Sequence, residues 1–125
     1  MDQLKFEGTE DTPTVMIDKA QELFKISGRS LPEDVTSFYK PVMDWLDLFS
    51  ESPTKNLNLE VNLEYFNTAS SKIILDILMK LEEIHQGGNC SIKVSWFYDK
   101  RDDDMLEAGE EYKDLVEIPF ELVEY

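Results

Sequence analysis

The sequence predicts an α/β fold, a two-layer sandwich in which a mixed β-sheet carries its helices on one face, and three observations predict it. Residues 56–66 and 90–98 alternate apolar and polar side chains, the period of strands with one buried and one wet face. Between them Ile73, Ile74, Ile77, Leu78, Leu81 and Ile84 recur at helical spacing. A strand, a helix and a strand in that order are the parts of a right-handed parallel crossover. Strands wet on one face argue against a doubly wound sheet with helices on both sides.

The elements follow in chain order. Three short extended segments, Leu4 to Gly8, Val15 to Asp18 and Glu22 to Gly28, are punctuated by Thr12-Pro13 and Lys19-Ala20-Gln21 and read as a strand followed by a hairpin. Ser30-Leu31-Pro32-Glu33 has the form of a capping box with proline in the first turn, so the first helix is expected from about Pro32 to Phe49. Its stripe is Val35, Phe38, Val42, Trp45 and Phe49, and Pro41 inside it removes one ladder bond and should kink it. The strand over 56–66 places Leu57, Leu59, Val61, Leu63 and Tyr65 on the covered face. The second helix spans roughly Thr68 to Gln86 and stops at Gly87-Gly88; the next strand buries Cys90, Ile92, Val94, Trp96 and Tyr98. A third helix, about Asp103 to Leu115, is interrupted by Gly109, and Ile118 to Val123 forms the last strand.

Length and composition bound the function. The chain has 125 residues, the size of one domain, expected over 1–125, and its 42% hydrophobic content supports a packed core despite a formal charge of −15. With 27 acidic against 12 basic residues it lacks the electrostatic footprint for a nucleic-acid backbone and is repelled by anionic membranes; the excess suits solubility or a basic protein partner. No apolar run approaches membrane-spanning length and the N-terminus lacks the features of a signal peptide, so a cytoplasmic location is expected. Cys90, the single cysteine, excludes an intramolecular disulfide and reads as a buried spectator thiol.

The chemical inventory is short, and neither an enzyme activity nor a cofactor is expected. His85, the single histidine, sits in a last helical turn where positive charge suits the helix dipole. There is no Gly-rich phosphate loop or nucleophile elbow. The run from Asp99 through Arg101 to Asp102, Asp103 and Asp104 offers oxygen ligands but not calcium-loop spacing; it reads as a solvated connection in which Asp102 or Asp103 caps the third helix. The segment Tyr65-Phe66-Asn67-Thr68-Ala69-Ser70-Ser71-Lys72 concentrates three hydroxyls where a strand hands over to a helix. Its residue types make a good N-terminus and nothing more is needed to explain them. The alternative is that one hydroxyl accepts a phosphoryl group: free first-turn amides, the helix dipole and Lys72 four residues beyond Thr68 prepare the site for a dianion.

The residues that separate these alternatives do so by resemblance. Ile26 to Glu33, Phe38 to Leu46, Tyr65 to Lys72 and Asp104 to Glu111 together resemble the SiaC family of bacterial regulatory phosphoproteins, and the resemblance runs over essentially the whole chain. It implies a fold similar to the anti-sigma-factor-antagonist (STAS) domain and phosphorylation of the threonine after Tyr-Phe-Asn, here Thr68. It further implies partner switching: a cognate protein kinase modifies the site, a metal-dependent Ser/Thr phosphatase reverses it, and the unphosphorylated form binds and activates an effector, in the named member a diguanylate cyclase controlling biofilm formation. Asn67, Ser70, Ser71 and Lys72 are then expected beside Thr68 in the docking surface. Three rivals remain: an anti-sigma-factor antagonist modified at Ser70 or Ser71, a small metal-dependent hydrolase using Asp99, Asp102, Asp103 and Asp104, and an acidic decoy that imitates nucleic acid.

Overall fold

Six strands line up in sequence order. In the computed structural model, which describes residues 3–125, the sheet runs β1 (Gln3–Phe6), β2 (Thr14–Asp18), β3 (Leu23–Ser30), β4 (Asn56–Phe66), β5 (Ser91–Tyr98) and β6 (Phe120–Glu124). Met1 and Asp2, the first residues of the expected 1–125 domain, lie outside the described residues. The pairs β1–β2 and β2–β3 are antiparallel, whereas β3–β4, β4–β5 and β5–β6 are parallel. Each parallel pair is joined by a helix: α1 (Val35–Glu51), α2 (Thr68–Gln86) and α3 (Asp103–Leu115). Successive crossovers that share one hand and move one way along a sheet leave their helices on the same side. The burial pattern agrees: in β4, Leu57, Leu59, Val61 and Leu63 are buried against the helices while Asn62 and Glu64 are exposed.

The core is the space between these layers. Phe24, Ile26, Ile92, Val94 and Trp96 rise from the sheet to meet Tyr39, Val42 and Leu46 of α1 and Ile74, Ile77, Leu78 and Leu81 of α2, all buried. Full burial of such side chains contributes about 1.5–3 kcal/mol each, the main term opposing chain entropy. Among the described residues no helix is long and apolar enough to cross a membrane.

Four sequence expectations change in detail. The first helix starts at Val35, not near Pro32, and its cap is Asp34, whose carboxylate accepts from the Ser37 amide at 3.1 Å. Ser30 caps nothing; it is the last residue of β3 and fully buried. Tyr65, expected on the covered face, is 51% exposed. The register slips between Gly28, opposite Leu63, and Arg29, opposite Tyr65, so Glu64 is an extra residue and the side-chain alternation inverts beyond it. Gly28 adopts φ +100°, a conformation that favours glycine, where this bulge forms. Finally, α3 runs without interruption through Gly109.

Gly109 is there because of packing. A Cβ built on it would lie 2.5 Å from Trp96 Cδ1 and 2.7 Å from Leu122 Cδ2. Trp96 is fully buried, donates its indole N–H to the Met105 carbonyl at 3.0 Å, and meets the Tyr112 ring at 5.3 Å between centroids. A larger residue at 109 would hold α3 away from the sheet.

Candidate functional site

The C-terminal end of β4 turns into α2 under the control of a buried polar cluster. The Asn67 amide donates to the Ser30 carbonyl at 3.1 Å, tying the end of β4 to the end of β3. The Asn67 side chain caps α2, its Oδ1 accepting from the Ser70 amide at 2.8 Å. Ser70 is fully buried, with its Oγ 2.9 Å from the Ser30 carbonyl and 2.8 Å from Ser30 Oγ, which lies 2.7 Å from the Tyr39 hydroxyl. One arrangement of hydrogens satisfies all three contacts: Tyr39 donates to Ser30, Ser30 to Ser70, and Ser70 to the Ser30 carbonyl. Burial raises the Tyr39 hydroxyl above the ordinary tyrosine pKa, partly offset by its bond to Ser30, so it stays protonated and able to donate.

This arrangement sorts the three candidate hydroxyls. Ser70 is internal, which removes it from the expected docking set and from the rival modification sites. Ser71 is partly buried, and its hydroxyl donates to the Thr68 carbonyl at 2.6 Å. Thr68, the first residue of α2, is exposed and makes none of the side-chain bonds that occupy its two neighbours. Of the first-turn amides, that of Ser70 is capped and that of Ser71 reaches the Asn67 carbonyl at 3.0 Å, so the amides of Thr68 and Ala69 are the ones left without a helical partner. Lys72 is exposed one turn on and joins no ion pair among the described residues. The site thus offers an accessible hydroxyl, free amides, the positive end of a helix dipole and an unpaired ammonium.

The neighbouring surface is partly apolar. Phe66, Lys72, Leu75, Ala108, Tyr112 and Leu115 line a groove of about 220 Å³ between α2 and α3. The Tyr112 hydroxyl crosses it to donate to the Ser71 carbonyl at 2.8 Å. Burial, with the Glu111 charge adding to it, pushes the Tyr112 hydroxyl well above the usual tyrosine range.

The acidic run assembles no metal centre. An open groove of about 810 Å³ is lined by Glu64, Asp99, Asp102, Asp103, Asp104 and Tyr125, but among the described residues no three potential ligands come together to hold a metal ion. Asp99 accepts from the Arg101 amide at 2.8 Å and from its guanidinium at 3.2 Å, and these bonds hold its carboxyl below the usual range. Asp102 caps α3 by accepting from the Met105 amide at 3.0 Å, while Asp103 and Asp104 occupy the first turn, where the dipole favours them. His85 stands in the last turn of α2, where its Nδ1 accepts from the Ile92 amide at 3.0 Å, clasping the end of α2 to β5. Cys90 is buried, and burial raises its thiol above the ordinary range, which disfavours the nucleophilic thiolate.

One pair of site residues was not singled out from the sequence. The Arg29 guanidinium lies over the Tyr65 ring at 5.9 Å to the centroid; Arg29 faces the open side of the sheet by the alternation of β3, and the bulge at Glu64 turns Tyr65 to meet it. A bulge cannot be read from local alternation. The only sequence signal was a glycine immediately before an arginine at a strand end.

Fold and site define a small acidic α/β protein whose accessible feature is a bare hydroxyl at a helix start, the profile of a regulatory module. The chain belongs to the SiaC family: the family model for SiaC family regulatory phosphoproteins matches residues 6–125. It is 35% identical over 120 residues to an uncharacterised protein of Pseudomonas aeruginosa strain UCBPP-PA14, covering 96% of this chain and 94% of that one. Among solved structures it is similar to SiaC of P. aeruginosa, with 34% identity, a TM-score of 0.91 and complete coverage of both chains. It matches equally the SiaC chain in the crystal structure of the diguanylate cyclase SiaD in complex with its activator SiaC, at a TM-score of 0.91 and 34% identity over 98% of this chain and 99% of that one.

Proposed function

We propose that this protein is a non-catalytic cytoplasmic switch, one regulatory domain over 1–125, that is phosphorylated on Thr68 by a cognate kinase and restored by a metal-dependent Ser/Thr phosphatase. Its unphosphorylated form binds and activates a diguanylate cyclase, so its output is cyclic-di-GMP and the biofilm behaviour that messenger controls. The observation that carries the site is the sorting of hydroxyls: Ser70 is fully buried, Ser71 is bonded to the Thr68 carbonyl, and Thr68 is exposed. The likeness to an activator crystallised with its cyclase supports the effector class.

The mechanism is electrostatic. Phosphorylation adds about −1.5 to −2 charges. The amides of Thr68 and Ala69, the helix dipole and Lys72 stabilise that charge locally, so the fold tolerates it. A packed partner surface would have to strip water from the dianion without replacing it, and the effector is released. Asn67, Ser71 and Lys72 form the rest of the docking edge, with the apolar α2–α3 groove beside them.

Intact-mass measurement after incubation with the cognate kinase tests the acceptor, expecting one phosphoryl group on wild type and none on Thr68→Ala. Undiminished modification of the alanine variant refutes Thr68. Calorimetric titration against purified SiaD of P. aeruginosa tests the output, expecting binding by unmodified protein and loss after complete phosphorylation; equal binding by both forms refutes the switch.

A further inference from the structure

The docking edge contains a cation the fold does not use. Lys5, Lys25, Lys40, Lys80, Lys93 and Arg101 each pair with a carboxylate of this acidic chain. Arg29, like Lys72, joins no ion pair among the described residues; its guanidinium lies over the ring of Tyr65 at 5.9 Å to the centroid, and Tyr65 is itself 51% exposed. A guanidinium that no carboxylate of the described residues holds keeps its planar fork of N–H groups open for a bidentate acceptor. Arg29 is registered opposite Tyr65: the regular alternation of β3 puts Arg29 on the open sheet face, and the Glu64 bulge in β4 turns Tyr65 to the same side.

Its location joins it to the switch. Arg29 immediately precedes Ser30, whose carbonyl receives the Asn67 amide at 3.1 Å, and Tyr65 stands three residues before Thr68. We propose that Arg29 and Tyr65 are the anchor pair of the effector-docking surface, and that the group they receive is a carboxylate on the partner. The guanidinium takes the carboxylate through its open edge, and the exposed Tyr65 ring packs against the aliphatic stem that carries it. Charge complementarity argues for this occupant, since a partner carboxylate at this edge finds in Arg29 a cation that joins no ion pair among the described residues. The inference rests on the Thr68 reading and sharpens it: a phosphoryl dianion at Thr68 repels the same carboxylate that Arg29 attracts. Arginine and tyrosine are also the side chains that most often dominate binding at protein interfaces.

The test is titration of full-length variants against purified SiaD of P. aeruginosa, with the melting temperature of each variant measured alongside. Arg29→Gln and Tyr65→Ala should each weaken binding by at least about tenfold at unchanged melting temperature. Tyr65→Phe, which keeps the ring, should bind nearly as wild type, and Arg29→Lys, which keeps charge but loses the planar fork, should fall between. Raising salt from about 50 to about 300 mM should weaken wild-type binding more than that of Arg29→Gln. Wild-type affinity in both Arg29→Gln and Tyr65→Ala, with phosphorylated protein still unable to bind, overturns this inference and leaves the Thr68 switch standing. Full binding by phosphorylated protein overturns the switch itself. Weakened binding with an unchanged salt dependence overturns the carboxylate as occupant, and weakened binding with a matching drop in melting temperature assigns the pair to folding instead.

Discussion

Ser70→Ala tests whether the buried hydroxyl cluster builds the site. The substitution removes a group that is fully buried and makes two bonds, to the Ser30 carbonyl at 2.9 Å and to Ser30 Oγ at 2.8 Å. The carbonyl keeps the Asn67 amide, 3.1 Å away, so its loss is partial. The Ser30 hydroxyl is worse placed: it accepts from Tyr39 and is left with a proton that has no acceptor in a dry site. One lost bond contributes about 1 kcal/mol, and a stranded buried donor costs about 1–3 kcal/mol, so a destabilisation of about 2–4 kcal/mol is expected. Taking about 2.1 cal/mol/K of unfolding entropy per residue over 125 residues, this lowers the melting temperature by roughly 8–15 °C. Ser71→Ala, which removes a bond at the helix surface, should stay within about 0.5 kcal/mol. Urea titration followed by tryptophan fluorescence measures both. A Ser70→Ala loss no larger than that of Ser71→Ala would refute the network as a structural element.

Other consequences are as specific. Gly109→Ala should destabilise by about 1–3 kcal/mol, because the overlap of its Cβ with Trp96 and Leu122 outweighs the roughly 1 kcal/mol of helix propensity that alanine adds; a more stable variant in urea would contradict the packing account. Asp34 has its carboxyl held below the ordinary 3.8, first by the Ser37 amide and then by the Ser37 hydroxyl. Its contribution is complete above that ordinary value and is lost as pH falls through the lower folded value, so Asp34→Ala should flatten the acid limb of a stability curve below about pH 4. Tyr112 shifts the opposite way, upward through burial. Its contribution is complete below the ordinary tyrosine value near 10 and fades as pH rises beyond it, so Tyr112→Phe should lose about 1 kcal/mol at neutral pH, with the bond to Ser71, yet unfold less steeply in alkali.

Local pattern carried the architecture because most elements obey local rules. Strand alternation placed Leu57 to Leu63 and Ile92 to Trp96, and the α2 stripe placed Ile74 to Leu81, since each faces one continuous core. The errors fall where a distant contact decides. Ser30 has the local form of a cap, but its partner is Ser70, forty residues away, and the actual cap is Asp34. Tyr65 follows the alternation on paper and is turned out by one unpaired residue in β4. Gly109 resembles a helix interruption and is the gap into which Trp96 fits. At the site, residue types alone favoured capping over phosphorylation, and Asn67 is the cap; it was the family resemblance that singled out Thr68 as phosphoacceptor.

That division of labour would let the module carry the proposed switch at a helix start without staking its stability on it. In a helix whose cap is itself the phosphoacceptor, modification replaces the capping bond and the first turn must reorganise. Here Asn67 caps, Ser70 anchors the turn to β3 and the Tyr39 side chain on α1, and Tyr112 holds it from α3, so three elements fix the backbone that presents Thr68. Thr68 contributes no side-chain bond to that scaffold. A phosphoryl group therefore changes the charge of a rigid edge rather than its shape, and Thr68→Glu and phosphorylated protein should keep the melting temperature of wild type to within about 2 °C, the equivalent of about 0.5 kcal/mol. A much larger drop would mean that release of the partner follows from melting of the helix start, and the electrostatic account would give way to an order–disorder one.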